Sequence, residues 1–143
     1  MSDADIYHHV AEHGLKRLTG NWATLPVVTS NQSDYGKDLD AGFVHFVVDY
    51  RGAPFMGING RNPAVDVNGF YELNIFTPQN SGIGMGLTYA GEIAAFYRGK
   101  SFEGIDCRAP SIVASRQVEY AKGEFWLTPL LIPFRYAIHI SIL

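Results

Sequence analysis

The segment Gly69–Gly99 reads GFYELNIFTPQNSGIGMGLTYAGEIAAFYRG, and its hydrophobic period changes in the middle. Over Gly69–Phe76 the apolar residues alternate: Tyr71, Leu73 and Ile75 turn one way, Glu72 and Asn74 the other. That is the mark of a half-buried strand. Thr77–Gly82 turns the chain. From about Gly84 to Tyr97 the apolar residues Leu87, Ala90, Ile93, Ala94 and Tyr97 recur at helical spacing, and Gly99 stops the helix. A strand therefore feeds a helix through a glycine-rich turn.

The same reading extends outwards in both directions. Phe43–Arg51 (FVHFVVDYR) is the best strand in the chain, with Val44, Phe46, Val48 and Tyr50 on one face and Phe43, His45, Val47 and Asp49 on the other. Gly52–Asn68 is rich in Gly, Pro and Asn, and Asn59-Gly60 is a hairpin-turn signal, so this stretch reads as a projecting hairpin or a long loop. Upstream, Leu25–Thr29 reads as a short strand and Asn31–Ala41 as a polar loop. A helix is expected over about Asp3–Leu18, with Ser2 as N-cap, Asp3 and Asp5 in its first turn, and an apolar stripe of Ile6, Val10, Ala11, Leu15 and Leu18. Gly14 inside it is expected to weaken it modestly. Downstream, strands are expected at Phe102–Cys107, Ile112–Tyr120, Glu124–Ile132 and Phe134–Leu143, with Pro133 marking a bulge or an edge. No repeat, linker or low-complexity tract divides residues 1–143. The order predicts one α+β domain: an antiparallel or mixed β-sheet with two helices packed on one face.

At 143 residues, 47% hydrophobic and 17% charged, the chain has the means to build a core and is short of charge. Together with 13% aromatic residues, that suggests a surface partly covered by partners. The net charge is −3 and the eleven basic residues are scattered, unlike the clustered footprint of a nucleic-acid binder. One cysteine, Cys107, excludes an intrachain disulfide framework. The MSDADIYHH start does not read as a secretory signal and no apolar run reaches membrane-spanning length, so a soluble protein with no membrane partner is expected.

Three features invite a chemical reading. His9-Val10-Ala11-Glu12-His13 fits H-x-x-E-H, with both histidines on one helical face and Glu12 placed as a general base; Glu92 is the obvious third ligand for a small zinc hydrolase. Against it, the three histidines sit equally well on the exposed flank of an amphipathic helix. Gly82-Ile83-Gly84-Met85-Gly86 lies where phosphates are cradled, yet it misses the G-x-G-x-x-G spacing and lacks Gly-Lys-Ser/Thr, so a turn that frees the helix start is the better reading. Cys107 lies in no nucleophile elbow, and a lone strand cysteine is ordinarily a small buried side chain. No carboxylate pair stands out for glycoside chemistry. No catalytic residue, metal ligand or cofactor site is assigned.

The order of features carries a resemblance. An N-terminal helix is followed by Asn21-Trp22, by Leu25-Pro26 leading to Asn31-Gln32, and by the strand Phe43–Tyr50. After the long loop come Asn68–Pro78, the Gly82-x-Gly84 turn, a helix closing on Ile93–Gly99, and a late Phe125-Trp126 strand reaching Ile132-Pro133-Phe134. Over about residues 4–135 this resembles the tail terminator, or tail completion, proteins of long-tailed bacteriophages. The resemblance implies a non-enzymatic α+β subunit of a hexameric ring, in the virion tail or neck and in the host cytoplasm during assembly. Its implied partners are copies of itself, the tail tube protein and a head-completion or connector protein, with DNA passing through the lumen without sequence-specific binding. A lumen that gripped phosphates would slow that passage, so a net charge of −3 is compatible with the role. Cyclic rings join unlike patches. The expected interface residues are Tyr35 and Lys37 in the polar loop, Phe55, Met56, Ile58 and Arg61 in the projection, and Ile138 and Ile140 in the last strand, where open edges also invite pairing.

Overall fold

The computed structural model describes residues 3–29, 41–59, 62–120 and 123–139; side chains at 3, 52–59, 62–65, 120 and 138–139 are outside that description. Two helices, α1 (Asp3–Thr19) and α2 (Ile83–Tyr97), pack on one face of an eight-stranded mixed sheet. The strands are β1 (Val27–Thr29), β2 (Phe43–Asn59), β3 (Asn62–Pro78), β4 (Ser101–Phe102), β5 (Ile105–Cys107), β6 (Ser111–Ile112), β7 (Arg116–Tyr120) and β8 (Gly123–His139). They lie in the order β1-β2-β3-β8-β5-β4, and β6 and β7 also pair with β8. Only β1 runs parallel to its neighbour, β2. This is the α+β fold expected, with both helices on the expected face.

The alternating stretch behaves as its pattern demands. Tyr71, Leu73 and Ile75 have 0% exposure beneath the helices, together with Val44 of β2 and Leu130 and Ile132 of β8. From α1 come Ile6, Val10 and Leu18, and from α2 come Ala90, Ile93, Ala94 and Tyr97. Leu87, expected in that stripe, is 42% exposed. Gly86 takes the buried place instead, because the Thr128 hydroxyl occupies the space a side chain would need there.

Three tyrosines pin α1. The hydroxyls of Tyr50, Tyr71 and Tyr97 donate to the α1 carbonyls of Tyr7, Val10 and Gly14 at 2.8, 2.7 and 2.7 Å. Each buried hydroxyl thereby avoids the cost of an unpaired polar group. Gly14 belongs to the same device: the Tyr71 ring fills the position where its Cβ would stand. What reads in the sequence as a helix weakness is the socket for a core side chain.

Several boundaries differ from expectation. Glu124–Ile132 and Phe134–Leu143, expected as two strands, are the single strand β8 up to His139, and Pro133 stays in register opposite Phe70. The Pro133 carbonyl accepts from Arg108 N–H, and that of Pro129 from Val113 N–H, so both prolines turn their backbone groups away from β3. N–H and C=O of one residue point the same way in a strand, so the missing N–H groups fall on the side where β5, β6 and β7 are discontinuous, and the β3 ladder is untouched. The expected Ile112–Tyr120 strand is split into β6 and β7 by a gap opposite Thr128 and Pro129. Phe102–Cys107 is the hairpin β4–β5, turning at Glu103 and Gly104, whose φ values of 51° and 80° suit a tight two-residue turn. Gly52–Asn68 is the hairpin alternative in full: β2 and β3 remain paired from Phe43↔Phe76 out to Asn59↔Asn62, with one irregularity between Arg51 and Phe55.

Candidate functional site

Three strands of 17 residues each, β2, β3 and β8, carry the chain beyond what the helices cover. At about 3.3 Å per residue each is ~55 Å long, whereas α1, at 17 residues, spans only about 25 Å. The Tyr50–Tyr7 hydrogen bond and buried Val67 mark the far end of the helix-covered core. Past them the strands form an arm. Among the expected interface residues, Phe55, Met56 and Ile58 lie in β2 and Ile138 in β8, and the register sets Met56, Val65 and Ile138 in one row across three strands. Their side chains lie outside the description. Tyr35, Lys37, Arg61 and Ile140 lie wholly outside the described residues.

Where the arm leaves the core, the face turned away from the helices is charged and ordered. Arg135 donates from Nε and Nη2 to the two carboxylate oxygens of Asp66 at 3.0 and 2.7 Å. This hydrogen-bonded pair holds the Asp66 carboxyl below its ordinary range and raises Arg135. Arg51 pairs with Asp49 at 2.9 Å and lies over the Phe70 ring at 5.4 Å. Arg51, Phe70 and Arg135, with Asn68, Arg108 and Pro133, line a shallow cavity of about 280 Å³. A wider groove of about 610 Å³ opens between α1 and β2, where Leu15, Phe46, Val48 and Tyr50 form its apolar floor. It exists because β1 ends at Thr29, opposite Phe46, and among the described residues β2 has no outer neighbour beyond that point. Nothing in the local sequence pattern signalled this groove, since it depends on how far a parallel neighbour runs.

The candidate catalytic groups are placed as follows. The His9 and His13 rings lie 4.5 Å apart, as their spacing implied. His9 stacks on Tyr136 at 4.8 Å, and its Nε2 donates to the Glu103 carbonyl at 2.7 Å. Glu12 pairs with Lys16 at 2.9 Å, which lowers its pKa. Glu92 accepts from the Trp22 indole N–H at 3.0 Å. Among the described residues no three His, Cys, Asp or Glu side chains gather as a metal site. Cys107 is buried, and burial pushes its thiol up to about 12, so it stays protonated at neutral pH. Gly82, at φ 80°, occupies the cap position of α2, and Gly86 abuts Thr128. The glycine run thus serves the helix start and its close approach to the sheet.

The second apolar face of α2 escaped the sequence reading. Ile83 and Leu87, 50% and 42% exposed, accompany Ile112 and Val113, each 42% exposed. The signal was present: in the 15 residues of α2 the one charged residue is Glu92, and a helix so poor in charge is ordinarily covered all round.

No family model and no curated protein matches the chain. In the solved structures it is similar to a protein known only by a serial designation, at 15% identity and a TM-score of 0.56, covering 94% of this chain and 95% of the other. That likeness shows a shared fold along almost the whole chain. No helix among the described residues is long and apolar enough to cross a membrane.

Proposed function

We propose that this chain is a structural subunit of a long-tailed bacteriophage, forming a ring, hexameric as the resemblance implies, that caps the finished tail tube. The ring ends polymerisation of the tube and offers the surface on which the head docks. The protein works by shape and carries out no reaction on a bound molecule. The observation that carries this reading is the three-stranded arm: β2, β3 and β8 run past the helix-covered core as a paired ladder whose residues 52–59 and 62–65 include no charged side chain. Between Arg51 and Asp66 the sequence carries a single charge, Arg61, and an arm so poor in charge costs a free monomer solubility and is explained when another subunit covers it. The order of helix, long hairpin, glycine turn, helix and late strand supports the same reading.

The test is to add purified protein to growing tail tubes and follow tube length and end structure by negative-stain microscopy. Growth is expected to stop at substoichiometric protein, with a ring at one end of each tube. Tubes that keep growing with bare ends, or protein spread along their sides, overturn the proposal.

A further inference from the structure

The eleven basic residues are scattered in the sequence, and the sheet brings three of them to one cavity. Arg51, Asn68 and Arg135 stand directly opposite one another across β2, β3 and β8, on the face turned away from the helices. At about 4.8 Å between strands, the two arginine Cα atoms are ~10 Å apart, with Asn68 between them. The next row along this face holds Phe70 and Pro133. Arg108, just past β5, is fixed beside that row because its N–H donates to the Pro133 carbonyl at 2.9 Å. The cavity of about 280 Å³ is thus lined by three guanidinium groups, one amide and one aromatic ring, and by no carboxylate.

The guanidinium groups are held in place and keep donors to spare. Arg135 gives Nε and Nη2 to Asp66; Arg51 gives Nη2 to Asp49 and lies over the Phe70 ring. A guanidinium carries five N–H donors, so each retains some for another acceptor. Arg108 is exposed and forms no ion pair among the described residues. Asp106, opposite Arg135 in β5, accepts from the Ser101 hydroxyl at 2.5 Å and lies outside the cavity lining, as do Asp49 and Asp66. The paired aspartates act as struts. Two of the arginines are already ordered, so an incoming anion meets donors whose rotamer freedom is already restricted.

We propose that this cavity binds the carboxylate of an acidic side chain, Asp or Glu, on a segment of a partner protein. Arg108 supplies the free fork, Arg51 and Arg135 flank it, and Phe70 offers an apolar surface to the methylene groups that carry the acid. Charge and shape argue for this occupant. Two of the three guanidinium groups are matched by carboxylates and one is not, which suits an anion of single charge. A planar carboxylate takes two parallel N–H bonds from an arginine fork. A nucleic-acid backbone repeats its charge along the strand and is held by a basic stripe, whereas no further basic residue lines this cavity. The site does not depend on the capping function: a chain that fails to stop tubes and still binds an acidic segment here keeps it.

The experiment titrates capped hexaglutamate into the full chain at low salt and follows the arginine Nε–H signals by NMR. Saturable binding with a Kd of the order of 1 mM is expected. The signals of Arg51, Arg108 and Arg135 should move, and those of Arg98 and Arg116 should stay. Arg108→Ala is expected to bind about tenfold more weakly, and Arg108→Lys to fall between it and wild type, having the charge without the fork. Arg98→Ala should bind as wild type does, and about 1 M salt should abolish the binding. Denaturation midpoints verify that each variant folds. Hexathymidylate, of similar charge, is the competing probe and is expected to bind more weakly. Tighter binding of hexathymidylate through the same three arginines would assign the cavity to a phosphodiester and overturn the acidic side chain. Shifts spread evenly over all arginines, a titration that never saturates, or Arg108→Ala binding like wild type would reduce the cluster to a solvated ion-pair network and overturn the site itself.

Discussion

The two faces of the central sheet are built from the same strands and differ in almost everything else. On the helix-covered face, every alternate residue of β3 from Tyr71 to Ile75 is fully buried, and tyrosine hydroxyls reach through the apolar layer to helix carbonyls. On the opposite face, Val28, Phe43, Phe76, Phe125 and Leu127 make a smaller cluster at the α2 end of β3, with Phe43 stacked on Phe76 at 4.5 Å. Towards the arm that face gives way to ion pairs: Asp49 with Arg51, and Asp66 with Arg135. Stability is therefore concentrated on one face, and the other is free to be a surface. Surface ion pairs contribute little, whereas close-packed side chains and buried hydroxyls contribute much.

The sharpest way to break this contrast is to truncate neighbours that face opposite ways. Tyr71→Ala is expected to cost about 3–5 kcal/mol by cavity and lost hydrogen bond. Phe70→Ala, one residue earlier on the open face, is expected to cost less than about 1.5 kcal/mol, since Phe70 is only half-buried beside Arg51. Urea denaturation of both variants measures the difference; equal losses would show that the open face is as stabilising as the covered one.

Gly14→Ala comes next. Helix propensity alone predicts stabilisation of about 1 kcal/mol. The Tyr71 ring in the Cβ position predicts the opposite sign, a loss of about 1–3 kcal/mol from overpacking. Tyr97→Phe removes only the hydroxyl that reaches Gly14 and is expected to cost about 1 kcal/mol. Both are read from the same denaturation midpoints.

The pH dependence follows the covered face on the alkaline side. Burial raises the Tyr50 phenol to about 12 from 10.0, and pushes Tyr71 and Tyr97 up as well. The unfolded chain then loses these protons first, so the stability they confer is present below pH 10 and is lost as pH rises towards 12. Tyr50→Phe should flatten that decline. The smallest effect belongs to the open face: Asp66→Asn is expected to cost under 1 kcal/mol. Because the folded carboxyl is lowered from 3.8, its contribution is present above pH 3.8 and vanishes as pH falls through the folded value. A pH titration of stability for Asp66→Asn against wild type checks it.

How far the fold was legible varied with the kind of signal. GFYELNIF and FVHFVVDYR read correctly, face by face, because period-two burial is written in consecutive residues. The α1 stripe was nearly right because its 3.6-residue period is also set by near neighbours, with Ile6, Val10 and Leu18 in the core. Leu87 was misplaced because the buried arc of α2 is decided by where it approaches Thr128, a contact some forty positions away. Pro133 suggested a strand break, yet whether a missing N–H matters depends on which neighbour it would have faced. The expected projection at Phe55, Met56 and Ile58 is a paired arm, whereas the exposed apolar flank of α2 was not foreseen, since a helix apolar on two sides looks the same in sequence as one buried on both.

The amino-acid order by itself determined which segments alternate, which are helical and where glycine breaks them, because those properties depend on neighbours within a turn or a pleat. It also set the scarcity of charge from residue 52 to 59 and in α2. Only the tertiary structure decided that Gly14 is a socket, and that Pro129 and Pro133 sit harmlessly inside one long strand. Those outcomes depend on partners distant in sequence, whose positions exist only once the sheet has closed its register.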